Sequence, residues 1–373
     1  MLPFSNLSNS PNLDWIGESV AETVRESLAA ENLLVLNRES RREAYRHLAI
    51  RPYARLTKAS IIRLGEVAEA DRVVYGTITV SPVSAAGNGS KGPLEINASV
   101  LDMRQMRQGP SINLSGGLAE LATLQERFAY RILGLFLDAR AMPSEDQFRG
   151  RRRPVRLDAM ENYVRGLLAA DADQKHRYFT QAARLDPDFS QPCFQLGRLR
   201  VEKRDYRVAA GWLERVKTSD VHFREATFLL GVCRYHLGDY SGAQAQFRSV
   251  LRQVPAPEVW NNLGAAQSRL NLPEAMDSFE KAFESDSTDP DYGFNVGYAL
   301  WRLGEYDDAA ESLRGVLERA PEDAEAKALL ARCLKRAGPR QAETRVEALE
   351  RLKHNFDEMA FRREQSRLVN RNQ

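Results

Sequence analysis

The chain has 373 residues, 43% hydrophobic and 28% charged, the make-up of a folded protein with two domains or an extended repeat array rather than of a disordered one. Its 53 basic and 51 acidic residues leave a net charge of +2, which gives no electrostatic case for nucleic acid or an anionic membrane. No run approaches the roughly twenty apolar residues that span a bilayer, and MLPFSNLSNSPN lacks the basic and long apolar regions of a signal peptide, so the expected location is cytoplasmic with no membrane.

Residues 1–138 alternate short β-rich runs with helical periods. Leu13, Ile16, Val20, Val24 and Leu28 recur at helical spacing, with Asn12 or Ser10 available as a cap before Asp14. NLLVLN (32–37) has the length of a strand, and Ser40 to His47 and Thr57 to Ala70 read as helices, the second burying Ile61, Leu64 and Val67. DRVVYGTITV (71–80) and LEINASVLDM (94–103) predict two antiparallel strands joined by a polar hairpin tip, with SINLSG (111–116) a candidate third. Leu118 to Leu137 predicts a closing helix whose face carries Leu121, Leu124, Phe128, Ile132 and Leu135. Interleaved strands and helices define a small α/β domain. Residues 139–156, with SEDQFRGRRRPVR, lack apolar periodicity and read as a basic linker.

From residue 157 onward only helices are expected. VGYALWRLGEYDDAAESL (296–313) nearly repeats LGVCRYHLGDYSGAQAQF (230–247). Gly197, Gly231, Gly264, Gly297 and Ala331 fall at intervals of 34, 33, 33 and 34. A small residue in the first helix of each unit admits a close partner helix, and neither helix of a pair can bury its apolar stripe without neighbouring copies. Trp260, Leu263 and Gly264 in one unit, Ala243, Phe247 and Pro255 in another, and Ala309, Leu313 and Pro321 in a third resemble the tetratricopeptide-repeat pattern. Units begin near Ser190, Arg224, Pro257, Pro290 and Ala324, preceded by a shortened one built from AMENYVRG (159–166) and YFTQAARLDP (178–187). The resemblance implies about six units over 157–341, the first and last degenerate, in an all-α solenoid (α-α superhelix) following the N-terminal α/β domain. The charged residues 342–373 are expected to form a C-terminal capping helix.

LPFSNLSNSPNLDWIGESVAETVRESL (2–28) looks like the opening of the TolB amino-terminal-like domains of bacterial proteins. Those domains usually begin with a full strand before the LPF, which implies an N-terminally shortened chain here and, in that case, a periplasmic or membrane-tethered location.

No catalytic, metal or cofactor set emerges. AAGNGSKGP (85–93) precedes a strand rather than a helix, unlike a phosphate loop, and reads as the hairpin tip. FRGRRRPVR (148–156) lacks interleaved aromatics and reads as solvated linker or salt-bridging surface. His47, His176, His222, His236 and His354 form no HExxH or i, i+4 pair, and GxSxG is absent. Cys193, Cys233 and Cys333 lack CxxC spacing, and Cys233 and Cys333, two residues after the small position, read as packed structural thiols.

The tetratricopeptide resemblance implies a concave groove lined by residues three before, one after and four after the glycine. Candidate protein-binding residues are therefore Phe194, Arg198, Phe228, Tyr235, Asn261, Ser268, Phe294, Tyr298, Trp301, Arg332 and Lys335. No unit carries the lysine and asparagine pair with which family members clamp a terminal carboxylate. A mixed aromatic and basic groove fits an extended or helical peptide with apolar anchors. The reading is a non-enzymatic scaffold or adaptor for a partner protein or peptide. The alternative makes the N-terminal domain a sensory or envelope-associated module, with the repeats supporting it or mediating self-association into a homo-oligomer.

Overall fold

The computed structural model describes residues 1–373 except 9, 32, 52–53, 82–92, 139, 151–152, 340–349 and 364–373. It divides into two units, Met1–Pro192 and Cys193–Gln373.

The first unit contains one mixed sheet of Ser5–Asn6 (β1), Arg72–Val80 (β2), Leu94–Asp102 (β3), Arg107–Gln108 (β4) and Ile112–Gly116 (β5). β2 and β3 pair antiparallel from Arg72 opposite Asp102 to Val80 opposite Leu94, and β5 pairs antiparallel with β3, as the alternation predicts. β1 adds a parallel edge to β2 that the sequence pattern does not reveal, being only two residues long.

Both sheet faces are covered by helices. Helices Asp14–Ala30 (α1), Arg38–His47 (α2), Lys58–Val67 (α3) and Leu121–Leu133 (α4) belong to this layer structure. Val73 and Leu101 pack with Ala44 of α2 and Ile61 and Leu64 of α3. The alternate residues Val74, Ile78, Ile96 and Val100 are buried on the opposite face, where Phe4 meets Phe128 of α4 edge-on at 5.6 Å. Gly17 lets the N-terminal segment pass against α1: a Cβ there would lie 2.0 Å from the Phe4 carbonyl oxygen.

Several local expectations change. Residues 33–37 form no strand: the Leu33 N–H closes onto the Leu28 carbonyl, the Asn37 carboxamide caps α2 by accepting from Ser40, and Leu34 stays exposed. Neither Asn12 nor Ser10 caps α1, because a 3-10 turn over Pro11–Leu13 precedes it. Val67, at the end of α3, is exposed, and α4 stops at Leu133 in a run of turns instead of reaching Leu137. The hairpin tip at 82–92 lies outside the described residues.

The 139–156 segment is more ordered than its composition implies. It contains Glu145–Gly150 (α5), whose Phe148 is buried beside Tyr130 at 5.5 Å. Its basic residues make ion pairs, Arg153 with Asp186 and Asp188 and Arg156 with Asp158. The boundary between units also moves: Leu157–Leu168 (α6) and Ala172–Leu185 (α7) belong with the first unit, where α6 packs on α1 and Arg165 donates to the Asn12 carbonyl at 3.3 Å.

Beyond Ser190–Glu202 (α8), which straddles the boundary, the second unit stacks helix pairs. They are Tyr206–Leu213 (α9), Phe223–His236 (α10), Tyr240–Leu251 (α11), Pro257–Arg269 (α12), Ala275–Ser285 (α13), Pro290–Leu303 (α14), Tyr306–Arg319 (α15) and Ala324–Leu334 (α16). The repeated glycines do what their period implies. A Cβ on Gly231 would meet the Phe247 ring at 2.7 Å, and one on Gly264 would meet the Phe279 ring at 2.7 Å. Gly238 and Gly304 take the left-handed conformation that ends α10 and α14, at φ of 81° and 86°. One expectation fails here: residues 351–357 lie inside the anticipated capping helix but are not helical, while 358–363 are.

Candidate functional site

The non-helical stretch lies across α10, α12 and α14 and fills the face formed by the first helices. Its backbone is held by side-chain amides. The Asn295 Oδ1 accepts from the Arg351 N–H at 2.8 Å while its Nδ2 donates to the Arg351 carbonyl at 2.8 Å. Asn262 treats Lys353 in the same two-sided way, at 2.9 and 2.8 Å. Asn261 donates to the Arg351 carbonyl at 2.8 Å and accepts from Asn295. The Asn262 and Asn295 carboxamides thus pair with a backbone as a neighbouring strand would, through donor and acceptor at once. Asn262 and Asn295 occupy the same repeat position, two before the glycine, and grip residues two apart. The segment therefore runs antiparallel to the order of the repeats.

The side chains of the segment meet distinct chemistries. The fully buried Glu350 carboxylate pairs with Arg269 at 2.8 Å, accepts from Ser268 at 2.8 Å and from the Tyr235 hydroxyl at 3.4 Å, and lies 3.8 Å from Arg302. Arg302 is itself held by Asn271 at 2.7 Å and by the Ser268 carbonyl at 3.0 Å. Burial, then the Glu350 charge, raises the Tyr235 phenol above its ordinary range.

The Arg351 guanidinium lies 3.7 Å over the Phe294 ring and forks onto Asp323 at 2.7 and 2.8 Å, with Glu325 and Asp291 beside it. That hydrogen bonding holds the Asp323 carboxyl below the usual carboxylate range. Lys353 reaches Asp289 at 2.7 Å and Asp291 at 2.6 Å; burial disfavours its charge, but these hydrogen bonds keep its pKa above the ordinary lysine value. Phe356 stacks on Phe228 at 5.3 Å, and Arg224 pairs with Glu358 at 2.8 Å. His354 stacks on His236 with the Nε2 atoms 3.3 Å apart, and His236 in turn stacks on Tyr206.

Five of the expected groove residues, Phe228, Tyr235, Asn261, Ser268 and Phe294, touch this segment. The others do not. Phe194 stacks on His222 at 4.3 Å, with Arg198 over its ring at 5.7 Å. Tyr298 and Trp301 are buried in the repeat core, Trp301 donating to the Ala337 carbonyl at 2.8 Å with Arg332 stacked 4.3 Å above its ring. Lys335 is exposed. Sequence reasoning missed Asn262, Asn295, Arg269, Arg302 and the acidic groups at Asp289, Asp291 and Asp323. The available signal was positional: asparagines two before the glycine and arginines five after it recur in consecutive units, and asparagine is a poor choice for a helix interior without a partner.

The cysteines are not part of this site. All three are buried, and burial pushes the Cys233 thiol up to about 12, which suits an inert packing residue. Among the described residues no group of His, Cys, Asp and Glu could hold a metal ion.

The glycine period, the paired helices and the left-handed turns define a helical repeat array. Family models of the tetratricopeptide repeat match residues 194–255 and 237–290, and 271–333 and 300–359. The chain therefore carries tetratricopeptide repeats within residues 194–359. Similar solved structures include MamA, at 18% identity over 42% of this chain and 92% of that one, with a TM-score of 0.38. YrrB, described as a TPR protein with an unusual peptide-binding site, shares 22% identity over 46% of this chain and 87% of its own, TM-score 0.37. The 41-end form of MamA from Desulfovibrio magneticus RS-1 shares 20% over 44% and 95%, TM-score 0.41. No curated protein matches the chain.

Proposed function

We propose that the protein is a non-catalytic adaptor whose repeat groove binds an extended segment of a partner protein. The observation that carries this reading is the two-sided grip of Asn262 and Asn295 on the backbone of residues 351 and 353. Backbone recognition by fixed carboxamides favours an extended ligand over a helical one, because a helix has already used its own N–H and C=O groups. The expected anchors Tyr298 and Trp301 serve repeat packing in this reading, and Phe228 and Phe294 provide the aromatic contacts.

The test is peptide binding by fluorescence anisotropy, with a peptide of the sequence ERLKHNFDEMA, comparing chains with and without Asn262→Ala and Asn295→Ala in a background of Glu350→Ala, Arg351→Ala and Phe356→Ala, so that the chain's own segment does not occupy the groove. Binding should weaken by about tenfold or more, the loss of several buried hydrogen bonds. A peptide N-methylated at the backbone nitrogens corresponding to Arg351 and Lys353 should lose binding similarly. Unchanged affinity in both experiments would sink the extended-peptide reading.

The same proposal treats residues 1–138 as a TolB amino-terminal-like domain and the location as cytoplasmic. Support for the first is the residues of the LPF segment themselves, with Phe4 buried beside α1.

A further inference from the structure

The groove described above is occupied, and its occupant is part of the same chain. We infer that residues 350–358 are an internal competitor that closes the groove at rest. The partner segment that displaces them then carries a carboxylate followed directly by a guanidinium, an amine two residues later and an aromatic ring three beyond that. The inference rests on the groove being the binding site, and adds what it selects and how it is gated.

The selectivity follows from groups the helices hold in place by themselves. Asp289 caps α14 through the Asp291 N–H, and Asp323 caps α16 through the Ala326 N–H, so both carboxylates are fixed without the segment. Arg302 is tied to Asn271 and the Ser268 carbonyl. The groove thus presents a prebuilt pair of arginines at one place and a prebuilt row of carboxylates beside it. An occupant lacking the opposite charges would desolvate these groups without compensating them. Phe356 adds an aromatic contact to these charges by stacking on Phe228.

The gating follows from topology. The segment follows α16 in the chain and returns to the groove of its own repeats. Tethering of this kind gives an effective concentration on the order of millimolar, so an internal segment of ~10 μM intrinsic affinity would hold the groove shut about a hundredfold over open. A partner succeeds by matching the same charges in a better context, or when the internal segment is disarmed.

The experiment uses the full chain and the labelled peptide ERLKHNFDEMA. The wild-type chain is compared with one carrying Glu350→Ala, Arg351→Ala and Phe356→Ala, with circular dichroism verifying that the helices persist. Disarming the segment should strengthen peptide binding at least about tenfold. Equal affinity for both chains would overturn the competitor while leaving groove binding intact; no binding to the folded, disarmed chain would overturn both. A peptide with alanine at its first two positions should bind the disarmed chain at least about tenfold more weakly, and undiminished binding would overturn the charge code. Sedimentation distinguishes donation to a second copy. A wild-type monomer supports closure within one chain, whereas a dimer that dissociates on disarming the segment would overturn it.

Discussion

Both units bury ionised side chains, and they complete the pairing differently. In the first, Glu18 on α1 accepts from Arg38 at 2.8 Å and from Arg41, both of α2, while Glu22 pairs with Arg25 one turn along α1. Burial opposes ionisation of Glu22, yet Arg25 and Arg41 hold its carboxyl down at about 2. Every member of that network sits on a packed helix. In the second unit Arg269 and Arg302 lie on packed helices but their carboxylate, Glu350, comes from a non-helical segment. A network closed by the scaffold stabilises the fold. One closed by a non-helical segment is, on the proposed reading, an occupied groove.

The largest expected effect tests the first half of that contrast. Glu22→Ala leaves buried guanidinium charge without its partner and should cost about 3–5 kcal/mol of stability, read from urea unfolding followed by circular dichroism. A loss under about 1 kcal/mol, the range of surface pairs, would show the network to be solvated. Glu350→Ala should leave helicity unchanged and instead expose the segment, speeding tryptic cleavage after Arg351 and Lys353 by about tenfold or more, since proteolysis tracks the open population. If helicity collapses instead, the segment is part of the fold and the contrast fails.

A smaller change probes the repeat scaffold. Gly231→Ala places a methyl 2.7 Å from the Phe247 ring, and the overpacking should cost about 1–3 kcal/mol. The same substitution at Gly211, where an added Cβ would meet open space, should be neutral or mildly stabilising in thermal melts.

The smallest effect is acid release of the segment. Burial, then His354 and Arg204, hold His236 down at about 4, and burial, then Arg204, lowers His354 as well. Tyr206, Tyr235 and His354 are the groups packed around His236. A detached segment binds these protons more readily, so docking is at full strength above about pH 6.5, the unperturbed value, and weakens as pH falls toward 4. Both residues lie at the surface with only their rings partly covered, so the change should stay under about tenfold. Hydrogen exchange of the Arg351 and Lys353 amides, corrected for intrinsic rates, would show the weakening, and His354→Asn should flatten it.

How much of this could be read beforehand depends on how local the cause was. The strand alternation at 72–80 and 94–102 and the glycine spacing from Gly197 to Gly297 encode partners through side-chain size and period, so the antiparallel strand pair and the helix pairing were legible. A helical period with high charge made residues 342–373 look like a capping helix, yet 351–357 are not helical, and Asn262 and Asn295 pair with their backbone. The 139–156 segment misled for the opposite reason: its arginine run hid Phe148, a single apolar side chain that docks beside Tyr130.

The sequence by itself pointed to tetratricopeptide repeats from residue 157 onward, because a repeated glycine opposite a repeated aromatic or leucine is a short-range rule of packing. It also determined that the first unit would mix strands with helices. Only the tertiary structure decided that the groove is filled, and by what. Glu350 meets Arg269 across 81 positions of chain, and nothing in the pattern near either residue names the other. A contact between complementary charges so far apart exists only once the helices that carry them have been stacked.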